Sequence, residues 1–220
     1  MSRIVKKPEE RKEELLNIAE KLFMENGYEQ TSIRDIYTQA NGSFGMFYHH
    51  FKSKEEVLEE VSKRMAQTQF EKIKAISLNE NQSSIEKLQS IVLSSILSMK
   101  ECAINNSILP FYKNPQLLVV QLHDTLGLAA EFFSYVIEEG MNDGTIPGTQ
   151  PHELAQMILL FLNIWLNPLI YAWKTEELRN IFKYINDLLD KIGVPVFTEE
   201  AFSAIEELYS VMKSNKEKGE

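Results

Sequence analysis

Apolar side chains recur along this chain at the spacing of three and four residues that an α-helix requires. No stretch alternates between apolar and polar positions in the manner of a strand. Polar segments rich in turn-forming residues, such as residues 79–84 and 142–148, separate the periodic segments. The pattern therefore predicts an all-α fold, with three helices before residue 52 and longer helices after it.

A tight turn joins the second and third of these helices. The helix before the turn has apolar residues at helical spacing: Ile33, Ile36, Tyr37 and Ala40. Thr31 or Ser32 offers a hydroxyl to the open amides of its first turn. Asn41 and Gly42 then supply backbone that tolerates a positive φ, and Ser43 can cap the helix that follows. Two helices joined in this way form a helix-turn-helix, which is typical of DNA-binding proteins.

The helix that begins after Ser43 has two different faces. Phe47 and Phe51 lie four residues apart, so they share a face that we expect to be buried. The opposite face comprises Phe44, Gly45, Tyr48 and His49. A missing side chain lets a helix approach a DNA groove, and a tyrosine hydroxyl or histidine ring can bind a phosphate oxygen. The alternative interpretation is an ordinary helical hairpin with aromatic core residues.

The residues around this turn resemble the tetracycline-repressor (TetR) family over about residues 11–58. The matching positions are Asn26, Gly27, Tyr28, Thr31, Ile33, Asp35, Ile36, Ala40, Ser43, Gly45, Tyr48, His49, Phe51, Lys54 and Leu58. The resemblance implies a homodimeric, ligand-responsive transcription factor that binds a palindromic operator in double-stranded DNA. It also implies a DNA-binding domain over residues 1–52 and a helical ligand-binding and dimerisation domain over residues 53–220.

We expect the DNA-binding residues to lie in and around the turn. They are Thr31, Ser32, Arg34, Ser43, Phe44, Gly45, Met46, Tyr48, His49 and Lys54. Of these, Tyr48 and Lys54 are expected to contact phosphate, while Phe44 and Met46 lie nearest the base edges. Phe44 stands where the family frequently has lysine, so the sequence preference of relatives does not transfer. It either contacts a thymine methyl group or packs against Tyr48.

Charge is distributed unevenly between the two predicted domains. The whole chain has a net charge of −9. Residues 1–64 contain 11 Lys and Arg against 12 Asp and Glu, whereas residues 65–220 contain 12 against 20. Most of the negative charge therefore lies outside the predicted DNA-binding domain. Arg3, Lys6 and Lys7 form a basic N-terminal arm, which either contacts DNA or remains a solvated tail.

The segment 154–173 has no charged residue and is long enough to span a bilayer. Gln156, Asn163 and Asn167 interrupt it, and its basic flanks are sparse, so we expect a buried helix rather than a membrane span. Such a helix can pack on its own domain and on a second subunit. The apolar stripe over residues 178–192 would then complete a four-helix interface across a two-fold axis.

The ligand pocket that the resemblance implies requires large or adaptable side chains with a few polar anchors. The central helices offer Met99, Phe111, Tyr112, His123, Phe132, Tyr135 and Trp165. His123 beside Asp124 is the candidate polar anchor, because a histidine in an apolar helix needs a partner. The alternative for each of these residues is ordinary core packing.

Several other functions find no support in the sequence. The single cysteine, Cys102, cannot form an intramolecular disulfide, which fits a reducing cytoplasm. The N-terminus lacks the apolar segment of a signal peptide, so we expect a cytoplasmic protein. His49 and His50 point about 100° apart on a helix and cannot share a metal ion without further ligands.

We find no glycine-rich phosphate loop and no catalytic motif, and therefore expect neither a cofactor nor an enzyme. Two functional hypotheses remain at this stage. One is a repressor that a small organic ligand releases from its operator. The other is a DNA-bound adaptor whose larger domain docks a protein partner.

Overall fold

The computed structural model describes residues 7–104 and 115–218, and the part of the chain that it describes is helical, without a strand. The predicted all-α fold class is thereby confirmed. The helices are α1 (Pro8–Asn26), α2 (Ile33–Gln39), α3 (Phe44–His50), α4 (Lys54–Ser77), α5 (Ser84–Ile104), α6 (Pro115–Asp124), α7 (Ala130–Asp143), α8 (Pro151–Leu160), α9 (Thr175–Lys191) and α10 (Glu199–Lys218). A π-helical turn, Thr125–Ala129, joins α6 to α7, and another, Phe161–Trp165, extends α8.

Local sequence sets the ends of the first helices. Gly27 terminates α1 with a φ of 83°, a conformation that glycine adopts without strain. Ser32 begins α2, where its hydroxyl accepts a hydrogen bond from the Asp35 amide at 3.1 Å. The Asp35 carboxylate in turn accepts from the Ser32 amide at 2.8 Å. This reciprocal capping satisfies two amides that the helix leaves open.

The hydrophobic side chains form two separate clusters that share α4. The N-terminal cluster unites α1, α2 and α3 with the first turns of α4 through Leu15, Leu16, Ala19, Leu22, Phe23, Ile36, Ala40, Phe47, Phe51, Val57, Leu58 and Val61. The larger cluster takes Ile73 from the other end of α4 and combines it with α5 and α7 to α10. The continuous helix α4 therefore contributes residues to both clusters.

Polar contacts also tie α1 to α4. The guanidinium of Arg64 donates to Asn17 Oδ1 at 2.6 Å, to Glu13 at 2.7 Å and to Glu20 at 3.3 Å. All three acceptors lie on α1, and Arg64 lies beyond Val61 on α4. The first part of α4 is therefore fixed to the N-terminal domain by both apolar and charged contacts.

The charge-free segment ends its helix at Trp165, earlier than its apolar length predicts. Asn167 is buried, and its amide donates to the Asn163 carbonyl at 3.0 Å while its Oδ1 accepts from the Leu169 amide at 2.9 Å. Pro168 follows directly and disfavours helical backbone at the residue before it. Within residues 7–104 and 115–218, no helix has the length and apolar character needed to cross a membrane.

A buried ion pair connects α5 to α7. Lys87 is only 2% exposed, and its Nζ lies 2.6 and 2.9 Å from the two carboxylate oxygens of Glu139. Burial of an ammonium group is tolerated only when such a partner compensates for the lost water. The pair therefore fixes how these two helices of the larger domain pack together.

Candidate nucleic-acid interface

Helix α3 has one buried and one exposed face, as its sequence predicts. Phe47 and Phe51 are buried in the N-terminal cluster, with ring centroids 5.8 Å apart. Phe44 is 63% exposed, Tyr48 is 42% exposed, and His49 is exposed as well. The buried phenylalanines anchor the short helix, so that its outer face is held in a defined orientation toward solvent.

The exposed face is built on an aromatic pair. The ring centroids of Phe44 and Tyr48 are 4.4 Å apart, and the rings are inclined by 42°. Gly45 beside them is exposed, and a Cβ atom added there would meet no other atom within 4 Å. Phe44 therefore packs on Tyr48 while most of its surface remains open to a binding partner.

The turn before α3 differs from the prediction in two details. Asn41 adopts a positive φ of 50°, which asparagine tolerates, whereas Gly42 does not. The missing side chain of Gly42 instead leaves room for Met46, because a Cβ atom at Gly42 would lie only 2.0 Å from Cε of Met46. The Met46 side chain therefore lies against the turn, and its position nearest the base edges stays a prediction.

Thr31 also requires a correction, because its side chain is buried at 1% exposure. Its hydroxyl donates to the Gly27 carbonyl at 2.9 Å and lies 3.2 Å from the Leu22 carbonyl oxygen. Thr31 therefore fixes the end of α1 and cannot face DNA. Ser32 is exposed, but its hydroxyl donates to Asp35 at 2.6 Å within the α2 cap. Arg34 is exposed and forms no ion pair with another described residue.

Lys54 forms hydrogen bonds with backbone groups of its own chain. Its Nζ donates to the carbonyl oxygens of Tyr28 at 2.9 Å and of Thr31 at 3.0 Å. These two bonds use two of the three N–H groups of the ammonium. Lys54 therefore holds the loop between α1 and α2, and its role as a phosphate contact stays a prediction.

One residue that supports the helix-turn-helix was not predicted from the sequence. Arg11 on α1 donates to the Ala40 carbonyl at 3.2 Å, at the end of α2, and to Glu14 at 2.6 Å. A cation suits the carbonyl end of a helix. Because Ala40 lies 29 residues away in sequence, no local pattern could reveal this contact.

The titratable groups around α3 are perturbed by their surroundings. Burial lowers the pKa of His50 below its ordinary value of 6.5, and the neighbouring His49, Arg11 and Lys12 lower it further. The rings of His49 and His50 lie 4.9 Å apart at 77°, and among the described residues no three His, Cys, Asp or Glu side chains are grouped so that they could hold a metal ion. Hydrogen bonds from Ser32 hold the pKa of Asp35 below its usual range, which keeps the α2 cap ionised.

Two of the five predicted ligand-lining residues that the structure describes are exposed at the surface. His123 is the main correction: its side chain is 89% exposed, 3.9 Å from Asp124, because it lies on the outer face of α6. Tyr135 is also exposed and lines a shallow surface cleft with Glu138 and Asn142. An exposed histidine needs no buried partner, so the argument for a polar anchor fails.

The remaining predicted ligand residues are half-buried or lie outside the described residues. Met99, Phe132 and Trp165 are half-buried. Phe132 packs 6.3 Å from the ring of Phe70, whereas Trp165 lies 6.4 Å from Tyr184. Phe111 and Tyr112 belong to residues 105–114, outside the described part of the chain. Phe132 and Trp165 both pack against the hydrophobic cluster of the larger domain, and their role in binding a ligand stays a prediction.

Comparison with known proteins identifies the N-terminal domain. Residues 15–61 match the family model described as bacterial regulatory proteins, tetR family. A transcriptional repressor of Mycolicibacterium smegmatis, KstR2, is 38% identical over 88 residues. That stretch covers 40% of this chain and 42% of the repressor. The chain thus matches less than half the length of this curated relative.

Solved structures resemble the fold over most of the chain. A TetR-family transcriptional regulator from Pectobacterium atrosepticum is 24% identical, with a TM-score of 0.61, and the match covers 84% of this chain and 95% of that protein. SmeT of Stenotrophomonas maltophilia is 19% identical with a TM-score of 0.60, and the match covers 85% of this chain and 93% of SmeT. Residues 15–61 therefore match the tetR family of bacterial regulatory proteins, whereas the likeness of the rest of the chain to these structures is a likeness of fold.

Proposed function

We propose that this protein is a sequence-specific DNA-binding transcriptional repressor of the cytoplasm, and not an enzyme. The observation that carries the proposal is the exposed face of α3, formed by Phe44, Tyr48 and His49 above the buried Phe47 and Phe51. A short helix held in this way can enter the major groove while the preceding helix crosses the backbone. We include Ser43, Gly45 and Arg34 in the proposed contact surface.

The names of the relatives support repression rather than an adaptor role. KstR2 is named a transcriptional repressor, and QacR of Staphylococcus aureus, 38% identical over 50 residues, is named a transcriptional regulator. SmeT is described as the repressor of a multidrug efflux pump. These proteins share the N-terminal domain or the fold with this chain, and on that basis we assign it the same class of activity.

We further propose that the repressor is a homodimer on a palindromic operator. The support is the apolar surface that a single chain leaves exposed on α8, α9 and the loop between them: Leu160, Tyr171, Tyr184 and Ile192. A second subunit related by a two-fold axis would bury the same surface on both chains. Two copies of α3 would then reach successive major grooves, about 34 to 36 Å apart or a multiple of that spacing.

Release by a small organic ligand is the remaining part of the proposal. A regulator from Saccharomonospora viridis with the same fold, 19% identical and with a TM-score of 0.59, was solved with choline. We propose a ligand of small organic character in the larger domain, which contains the half-buried aromatic residues Phe132, Phe161 and Trp165. Its chemical identity is left to experiment.

The DNA-binding proposal is tested by selecting duplexes from a random-sequence pool with the full-length protein. We expect enrichment of a palindrome, with affinity that falls steeply as salt releases counterions from the DNA. Tyr48→Ala should weaken binding to the selected duplex at least about tenfold. Tyr135→Ala is the matched control, because it removes an equally exposed tyrosine from the larger domain. Failure to enrich any duplex at low salt would refute the proposal.

A further inference from the structure

The exposed ring of Phe44 suggests what kind of base the protein selects. We propose that Phe44 recognises the 5-methyl group of thymine in the major groove, so that a thymine at one position of each half-site determines specificity. This inference rests on the proposed function and goes beyond it, since DNA binding alone does not require an apolar contact with a base.

The side chains of α3 lack the groups that usually read guanine and adenine. From Ser43 to His50 the chain has no arginine, lysine, asparagine, glutamine or acidic residue. The bidentate pairs that usually identify guanine or adenine are therefore unavailable on this helix. Among the groups that base pairs present in the major groove, the thymine methyl is the apolar one. An aromatic ring is complementary to that group and to no hydrogen-bonding base edge.

The exposed face of α3 holds the Phe44 ring in a position that DNA can reach. Phe44 is 63% exposed, yet its ring rests 4.4 Å from that of Tyr48, which restricts its orientation. Gly45 next to it carries no side chain and has open space around it, so DNA can come close to the ring. Met46 does not compete for the same place, because its side chain is folded over Gly42.

A contact with one methyl group is strong enough to affect the choice of base. Burial of one methyl group against an apolar surface contributes enough to change affinity about fourfold. A dimer makes the contact twice, so loss of both methyl groups should weaken binding about tenfold to twentyfold. Such a ratio is sufficient to discriminate one base pair, and it lies well within the range of an equilibrium binding assay.

The test uses the duplex that the full-length protein enriches from the random pool. Each symmetry-related pair of thymines in the two half-sites is replaced together by deoxyuridine, which removes only the methyl groups and keeps every hydrogen-bonding atom. Affinity is measured by fluorescence anisotropy. We expect one symmetric pair of positions at which deoxyuridine weakens binding about tenfold or more. Phe44→Ala should weaken binding to the thymine duplex by a similar factor.

A double-mutant cycle separates contact from DNA shape. If Phe44 touches the methyl group, the deoxyuridine penalty should disappear in Phe44→Ala and persist in His49→Ala, an exposed neighbour on the same helix. Phe44→Leu should retain part of the penalty because it keeps an apolar side chain. An equal penalty in Phe44→Ala, or no penalty at any thymine, would overturn the inference while leaving DNA binding intact. Failure to enrich a duplex would instead refute the proposed function, and this inference with it.

Discussion

The ammonium of Lys54 lies over the aromatic ring of Tyr28, with Nζ 4.1 Å from the ring centroid. The same ammonium donates a hydrogen bond to the Tyr28 carbonyl at 2.9 Å. The Tyr28 hydroxyl in turn donates to Glu55 at 3.2 Å. Burial and the nearby carboxylate raise the pKa of Tyr28 well above its ordinary value, so it remains a neutral donor. These contacts join the end of α1 to the start of α4.

We predict that Lys54→Ala reduces the free energy of unfolding by about 1 to 2 kcal/mol, because it removes charged hydrogen bonds and a cation–π contact. Lys52→Ala is the matched control, with an exposed side chain, and should change stability by less than about 0.5 kcal/mol. Urea unfolding of both variants measures the difference. If Lys54→Ala left stability unchanged but lowered the salt dependence of DNA binding by about one unit, Lys54 would be a phosphate contact after all.

The buried ion pair of the larger domain leads to a second prediction. Glu139→Gln removes the negative partner of Lys87 and leaves a buried ammonium without its counter-charge. We expect a loss of about 2 to 3 kcal/mol, less than for a fully buried pair because the Glu139 side chain is 42% exposed. Lys87→Met removes the charge itself and should cost much less.

Glu138→Gln serves as the control for this pair, since Glu138 is an exposed neighbour on α7. Its effect on the midpoint of urea unfolding should be small. Equal losses for Glu139→Gln and Glu138→Gln would mean that the ion pair does not stabilise the packing of α5 on α7.

The lowered pKa of His50 predicts a pH-dependent stability of the N-terminal domain. The folded state favours the neutral ring, so His50 contributes stability above the unfolded pKa of about 6.5 and loses it as the pH falls toward the lower folded pKa. Unfolding measured between about pH 7.5 and about pH 5.5 should show this loss. His50→Gln should flatten the profile more than His49→Gln, and a titration by NMR should place the pKa of His50 below 6.5.

The proposed ligand must act on DNA binding through α4, because this helix has residues in both hydrophobic clusters. For any compound that binds the larger domain, DNA should weaken compound affinity by the same factor by which the compound weakens DNA affinity, about 5-fold to 150-fold. Titrations of compound with and without the selected duplex measure one factor, and DNA titrations measure the other. Equal compound affinities in both titrations would rule out this form of release.

Substitution of Arg64 tests which contacts couple compound binding to DNA binding. Arg64 ties α4 to Glu13, Asn17 and Glu20 of α1. Arg64→Ala should therefore reduce the factor by which compound and DNA weaken each other's binding, without abolishing compound binding. Lys63→Ala is the control, because the exposed Lys63 pairs with Glu60 of the same helix. The same factor in both variants would show that the signal does not depend on the link between α1 and α4.

Much of the fold and part of the candidate site follow from local sequence alone. The 3.6-residue period determines that Phe47 and Phe51 face inward while Phe44 and Tyr48 face outward, and the structure agrees. The cap at Ser32 and the end of α1 at Gly27 depend on backbone amides within a few residues. Such features need no knowledge of distant parts of the chain, which is why the sequence by itself predicts them.

Tertiary structure alone decided which side chains are available for binding. Thr31 is buried under α1, Lys54 is held by carbonyls 23 and 26 residues away, and His123 lies on the outer face of its helix. A helical period identifies two opposite faces of a helix, but it cannot show which neighbour covers each of them. A polar side chain near a turn can also form its hydrogen bonds with groups of the same protein instead of with a ligand. That choice depends on contacts between distant residues, which form only when the helices pack together.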